Sequence, residues 1–157
     1  MLENIKLNNM EDRIIPINTA IGSKPGKIKI PSTSIEGTIG TYHKLGSIGD
    51  IEITMITLGQ LIEDYNIEPD ILKMDCEGCE FDVILNDYES IKKFHEIIFE
   101  YHTYNTNHNI LELINILNKD FKCEFVNETH YKKRFKNYTR KELGMLYCYK
   151  AKWILRK

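Results

Sequence analysis

Lys73, Asp75 and Glu77 alternate along a short stretch that runs into Gly78 and then Glu80. Residues two apart on a strand share a face, so the three charges leave it on one side. Asp70 to Met74, preceded by Pro69, reads as a buried strand, and Phe81, Val83, Ile84 and Leu85 then carry helical spacing. The cluster therefore falls on a strand-to-helix turn beyond the carboxyl end of a strand, where open α/β sheets bind ligands. Ionisable groups gathered there are costly unless they bind something or each other. One carboxylate could hold a hydroxyl group or act as its base; a lysine–carboxylate ion pair capping the turn is the plainer reading. Glu100 and His102 end the next apolar stretch and would line the same crevice, where an imidazole can take a proton near neutral pH.

Cys76-Glu77-Gly78-Cys79 is a C-x-x-C opening that helix, the setting of dithiol redox pairs. A helix N-terminus favours a thiolate, whereas Asp75, Glu77 and Glu80 disfavour it. Cys123 and Cys148 are isolated and read as core thiols on separate strands, with a zinc site the remoter alternative. Four cysteines without an export signal are most simply reduced. Tyr131 to Lys141 interleaves basic and aromatic residues, which suits either phosphate binding with base stacking or a solvated loop between the last two strands.

The elements that must position these residues follow from pattern. Residues 2–9 suit the end of a helix, and Arg13 to Ile21 alternates as a strand that Pro16 weakens. Lys27 to Ile30 and Ile51 to Ile56 alternate and pair as a hairpin arm over 27–56, with a Ser/Thr/Gly-rich loop across 31–50. Thr57 and Gln60 form a capping box for a helix carrying Leu58, Leu61, Ile62 and Tyr65 on one stripe. A short helical piece at Ile91–Phe94 leads into a strand over Glu96–Tyr101. Asn109 and Glu112 open another helix with Leu113, Ile114 and Leu117 inward, and Phe121–Val126 and Met145–Tyr149 read as the last strands, ending at Trp153.

The chain has 157 residues, 42% hydrophobic and 28% charged, enough for one domain with a proper core. A net charge of −2 makes no global case for nucleic acid or an anionic membrane surface. No apolar run has transmembrane length and the N-terminus lacks a signal-peptide core, so a cytoplasmic location is expected.

Thr57-Leu58, the helix that follows, Asp70-Ile71-Leu72-Lys73-Met74-Asp75-Cys76-Glu77-Gly78-Cys79-Glu80 and Val83-Ile84-Leu85 together resemble the FkbM-type methyltransferase signature. That pattern is a "TLD" helix, then "DLLKIDVEGAE" and "VL". Ile97-Ile98-Phe99-Glu100-Tyr101-His102 is similar to the family's "E-x-H" strand end, and Leu2–Asn8 and Ile17–Gly22 to its third-strand region. Gly59 stands where the family has Asp, and Cys76 and Cys79 replace Val and Ala.

The resemblance implies an α/β fold: a truncated class I, Rossmann-like methyltransferase sheet, mostly parallel, with an antiparallel C-terminal hairpin. Residues 1–157 would form a single domain lacking the family's first two strands and glycine-rich turn. The motif strand or its 13–21 neighbour would then have an open parallel edge, relieved by direct closure of the two or by dimerisation. The implied activity is S-adenosylmethionine-dependent O-methyl transfer to a small molecule or sugar, with Lys73, Asp75, Glu77, Glu100 and His102 catalytic. Asn18, Thr19, Ala20 and Asp75 would bind the cofactor, and no metal is assigned. Implied partners are the small-molecule acceptor and either a second copy or an upstream polypeptide. A non-catalytic remnant or binding module stands as the alternative, with the C-x-x-C redox protein behind it.

Overall fold

The computed structural model describes residues 1–32, 48–126 and 142–151. The expected 31–50 loop, the basic-aromatic stretch 131–141 and Trp153 fall largely or wholly outside them.

Helix α1 (Leu2–Leu7) precedes the short strands β1 (Ala20–Ile21), β2 (Gly26–Ile30) and β3 (Ile51–Ile56). Helix α2 (Leu58–Asp64), β4 (Ile71–Met74), α3 (Cys79–Asn86), α4 (Tyr88–Ile91) and β5 (Glu96–His102) follow. A 3-10 turn (Thr103–Asn105), α5 (Ile110–Leu117), β6 (Lys122–Val126) and β7 (Leu143–Tyr149) complete the order.

Two helices start where local chemistry requires. Thr57 Oγ1 accepts the Gln60 N–H at 3.0 Å while Gln60 Oε1 accepts the Thr57 N–H at 3.0 Å. Asn109 caps α5 similarly, its side chain accepting from Leu111 N–H at 3.0 Å and its own N–H donating to Glu112 at 2.9 Å. At Gly59 a Cβ would lie 2.8 Å from Ser90 Oγ, so a side chain at this position needs Ser90 to move.

The strands form two sheets, β1-β3-β2 and β4-β5-β7-β6. The expected mostly parallel sheet is not what forms. Only β1–β3 and β4–β5 pair parallel, while β2–β3, β5–β7 and β6–β7 are antiparallel. The cause is that β7 enters between β5 and β6, running against both. The C-terminal pair β6–β7 is antiparallel as expected. The expected 13–21 strand shrinks to Ala20–Ile21, the residues that find a partner in Met55 and Ile56. Pro16 has no N–H to donate. Among the described residues the expected closure of the motif strand onto this neighbour is not seen: β1 pairs with β3, β4 pairs with β5, and β1 and β4 are edges of the described sheets.

The core lies on one face of the larger sheet. Ile97, Phe99 and Tyr101 of β5 and Leu146 and Cys148 of β7 pack with Phe81, Val83 and Ile84 of α3 and Leu113 and Leu117 of α5. Leu58 and Ile62 of α2 join it, and Ile21 packs against it from the smaller sheet. Of the expected α2 stripe, Tyr65 is the exception, 45% exposed.

The cysteines, expected as thiols, are paired. Cys76 is bonded to Cys79, and Cys123 to Cys148. Cys123 and Cys148 are direct cross-strand partners in the β6–β7 register, which brings two isolated residues together. Among the described residues no helix is long and apolar enough to cross a membrane.

Candidate active site

Strand β4 delivers Lys73 and, just past its end, Asp75. Lys73 Nζ stands 3.6 Å from Asp75 Oδ2 with the side chains 64% and 43% exposed. A pair that open to water contributes little stability, so both groups remain available to a ligand.

The turn after Asp75 is held from below. Glu80, fully buried, accepts the N–H of Cys76 and of Gly78, each at 2.8 Å. The Cys76–Cys79 bond closes the same turn. Between these ties Glu77 takes a left-handed backbone (φ 58°) and Gly78 follows at φ 125°. A non-glycine residue in that region is uncommon and costs on the order of 1–3 kcal/mol unless its surroundings fix it. Its consequence is to turn the Glu77 carboxylate toward the end of β5.

His102 ends β5 with its side chain only 3% exposed. Nε2 lies 3.5 Å from Glu77 Oε2 and Nδ1 lies 3.6 Å from Glu80 Oε1. Nδ1 has no hydrogen-bond partner among the described residues. The Tyr104 ring meets the imidazole edge-on at 5.8 Å, and its hydroxyl donates to Glu77 Oε2 at 3.2 Å. Burial disfavours the imidazolium, but Glu80, then Glu77 and Glu100, favour it, and the balance raises the His102 pKa above its ordinary value. At 3.6 Å the Glu80 contact is an ion pair rather than a hydrogen bond, so we attribute that influence to charge.

Donor atoms of Asp75, Glu77 and His102 lie within 4.8 Å of one another. The structure thus gathers three of the expected residues at one point, with Lys73 at its rim. Glu100 is two residues from His102 along β5 and acts on it through charge. Ala20 opens β1 of the smaller sheet, and Asn18 and Thr19 lead into it. Thr19 Oγ1 donates to the Thr54 carbonyl at 2.7 Å, and Ala20 is paired with Met55. Asn18 lines an open groove beside α1 with Met1, Leu2, Glu3, Pro16 and Ile17; Asp75 and His102 are not among its walls.

Two residues that organise the site had no expected role. Glu80 carries a signal, an acidic residue in the first turn of α3, shared with Asp82. Tyr104 has none, because nothing local fixes the 3-10 turn that brings its hydroxyl to Glu77.

A sulfonium cofactor needs acidic company and a close backbone cradle for its nucleoside and amino-acid ends. Asp75, Glu77 and Glu100 meet the first need. The second is not met by the described glycines with close neighbours: Gly22 is filled by Met55, Gly49 by the Ile30 backbone, Gly59 by Ser90 and Gly144 by Tyr101. Thr19 is already bonded within its own sheet. Among the described residues, then, the carboxylates suit the charge of such a cofactor, and these glycines offer no room for its nucleoside end.

No curated protein matches this chain, and no solved structure does. A family model described as "Methyltransferase FkbM domain" matches residues 1–126. That span contains β4, its turn, and the Glu100–His102 strand end, so it covers every residue of the cluster. The chain belongs to the FkbM methyltransferase family.

Proposed function

We propose that this chain acts in methyl transfer to an oxygen of a small molecule or sugar, with S-adenosylmethionine as the methyl source. The observation that carries the reading is the joining of half-exposed Asp75 and more covered Glu77 to buried His102 at the adjacent ends of β4 and β5. An acceptor hydroxyl reaching this point meets Asp75 first, because His102 is covered. Asp75 accepts the hydroxyl hydrogen bond and takes its proton as the oxygen becomes nucleophilic. Glu77 and Lys73 flank the acceptor, while His102 and Tyr104 fix the Glu77 carboxylate. A second reading, a binding module that keeps the acceptor crevice without catalysis, draws on the filled surroundings of Gly22, Gly49, Gly59 and Gly144 among the described residues.

Calorimetric titration of the purified chain with S-adenosylhomocysteine separates the two. Saturable binding, weakened in Asp75→Asn, is expected for a methyltransferase. Silence from a folded, cooperatively melting sample would leave the binding module.

A further inference from the structure

We propose that Asp75, Glu77 and His102 form a binding site for a divalent metal ion. This goes beyond methyl transfer and does not depend on it: it concerns what three side chains hold.

The three come from two elements, Asp75 and Glu77 from the turn after β4 and His102 from the end of β5, and their donor atoms lie within 4.8 Å of one another. Oxygen and nitrogen ligands stand about 2.0–2.2 Å from ions of this kind, so opposed donors sit about 4 Å apart. Donor atoms no more than 4.8 Å apart are thus within about 1 Å of that spacing.

The buried imidazole is the independent observation. Its two nitrogens each face a carboxylate, which can only accept a proton in a hydrogen bond. A neutral ring carries a single proton; with it on Nδ1, toward Glu80 at 3.6 Å, Nε2 is left with a lone pair. Nε2 then points its lone pair at Glu77 Oε2, a second acceptor, 3.5 Å away. With that tautomer two acceptors face each other in a site that is 3% exposed on the histidine side, and a positive centre there offsets their repulsion. A second ring proton would supply it for Glu77 alone, whereas a metal ion also engages Asp75.

The surroundings match what metal-ligating histidines need. Such a histidine turns its other ring nitrogen to a carboxylate that fixes its orientation. Glu80 occupies that place and is itself fixed by the Cys76 and Gly78 N–H groups at 2.8 Å. Glu77 is steadied by the Tyr104 hydroxyl at 3.2 Å. Lys73 beside Asp75 is 64% exposed and can swing into water as an ion enters. One imidazole with two carboxylates suits a first-row ion such as Mn2+, Fe2+ or Zn2+ better than an all-oxygen ion.

The test is titration of the disulfide-intact protein with MnCl2 alone, following loss of the free-ion paramagnetic resonance signal. One saturable site per chain is expected, with affinity falling at least about tenfold in Asp75→Asn and in His102→Gln. Asp75 is half-exposed, so its variant keeps the fold if burial makes the histidine variant unstable. His108→Ala removes the exposed pair with Glu112 at 2.7 Å and should leave binding unchanged. No saturation below millimolar Mn2+, equal affinity in Asp75→Asn, or loss of the site in His108→Ala would each overturn the assignment.

Discussion

Glu80 shows how one side chain can set the shape of a site it does not line. Its carboxylate is fully buried at the head of α3, and it accepts two backbone N–H groups of the turn that presents Asp75 and Glu77. The positive end of the helix and those two donors offset the cost of burying the charge. Hydrogen bonds to a charged group contribute about 1.5–3 kcal/mol each, and a donor left buried without a partner costs on the order of 1–3 kcal/mol. Glu80→Gln keeps the shape but places an amide NH2 against one of two N–H donors, so it should lose about 2–3 kcal/mol in urea unfolding. The same variant should free the turn, broadening the amide resonances of Cys76 to Gly78 in NMR. A Gln variant as stable as the parent would mean that the turn is held by the Cys76–Cys79 bond without help from Glu80.

The helices and strands divide by whether their cause is local. Thr57 with Gln60 and Asn109 with Glu112 are capping boxes in the chain as in the structure, because a cap needs only neighbours within one turn. Thr57→Ala and Asn109→Ala should each lower stability by about 1 kcal/mol in thermal unfolding, and restoring Ser at either position should recover most of it. The motif strand, its turn and α3 were legible for the same reason: apolar run, glycine, helical spacing. Strand partnership was not. Alternation over Arg13–Ile21 reports a periodicity, yet only Ala20 and Ile21 meet β3, and no local pattern reveals that β7 would enter beside β5. Cys123 and Cys148 escaped pairing on paper because their bond follows from the β6–β7 register, a non-local fact. At the site, Asp75, Glu77 and His102 were readable as residues at neighbouring strand ends. The facing of His102 toward both Glu77 and Glu80 was not, since it depends on a left-handed Glu77.

Across the whole molecule, two sheets share one chain. The smaller sheet reaches the larger body through Ile21 packing on the core and through Ser23, whose N–H and hydroxyl donate to the two oxygens of Asp82 on α3 at 2.9 and 2.8 Å. This joint sits on the helix whose N-terminal turn carries Glu77, so it ties the β1–β3–β2 sheet to the element that shapes the site. Two partly buried hydrogen bonds to a carboxylate contribute on the order of 2–3 kcal/mol between them. Asp82→Ala should therefore lower the local opening free energy of the smaller sheet while leaving the larger one near its parent value. In native-state hydrogen exchange the Gly22 amide, bonded to the Ile56 carbonyl at 3.1 Å, and the β2–β3 ladder should exchange at least about tenfold faster, since 1.4 kcal/mol is a factor of ten. Amides of the β5–β7 ladder serve as the internal reference. Equal acceleration in both ladders would instead show that the sheets open as one cooperative unit, with apolar packing at Ile21, Leu58 and Ile62 rather than the Ser23–Asp82 joint coupling them.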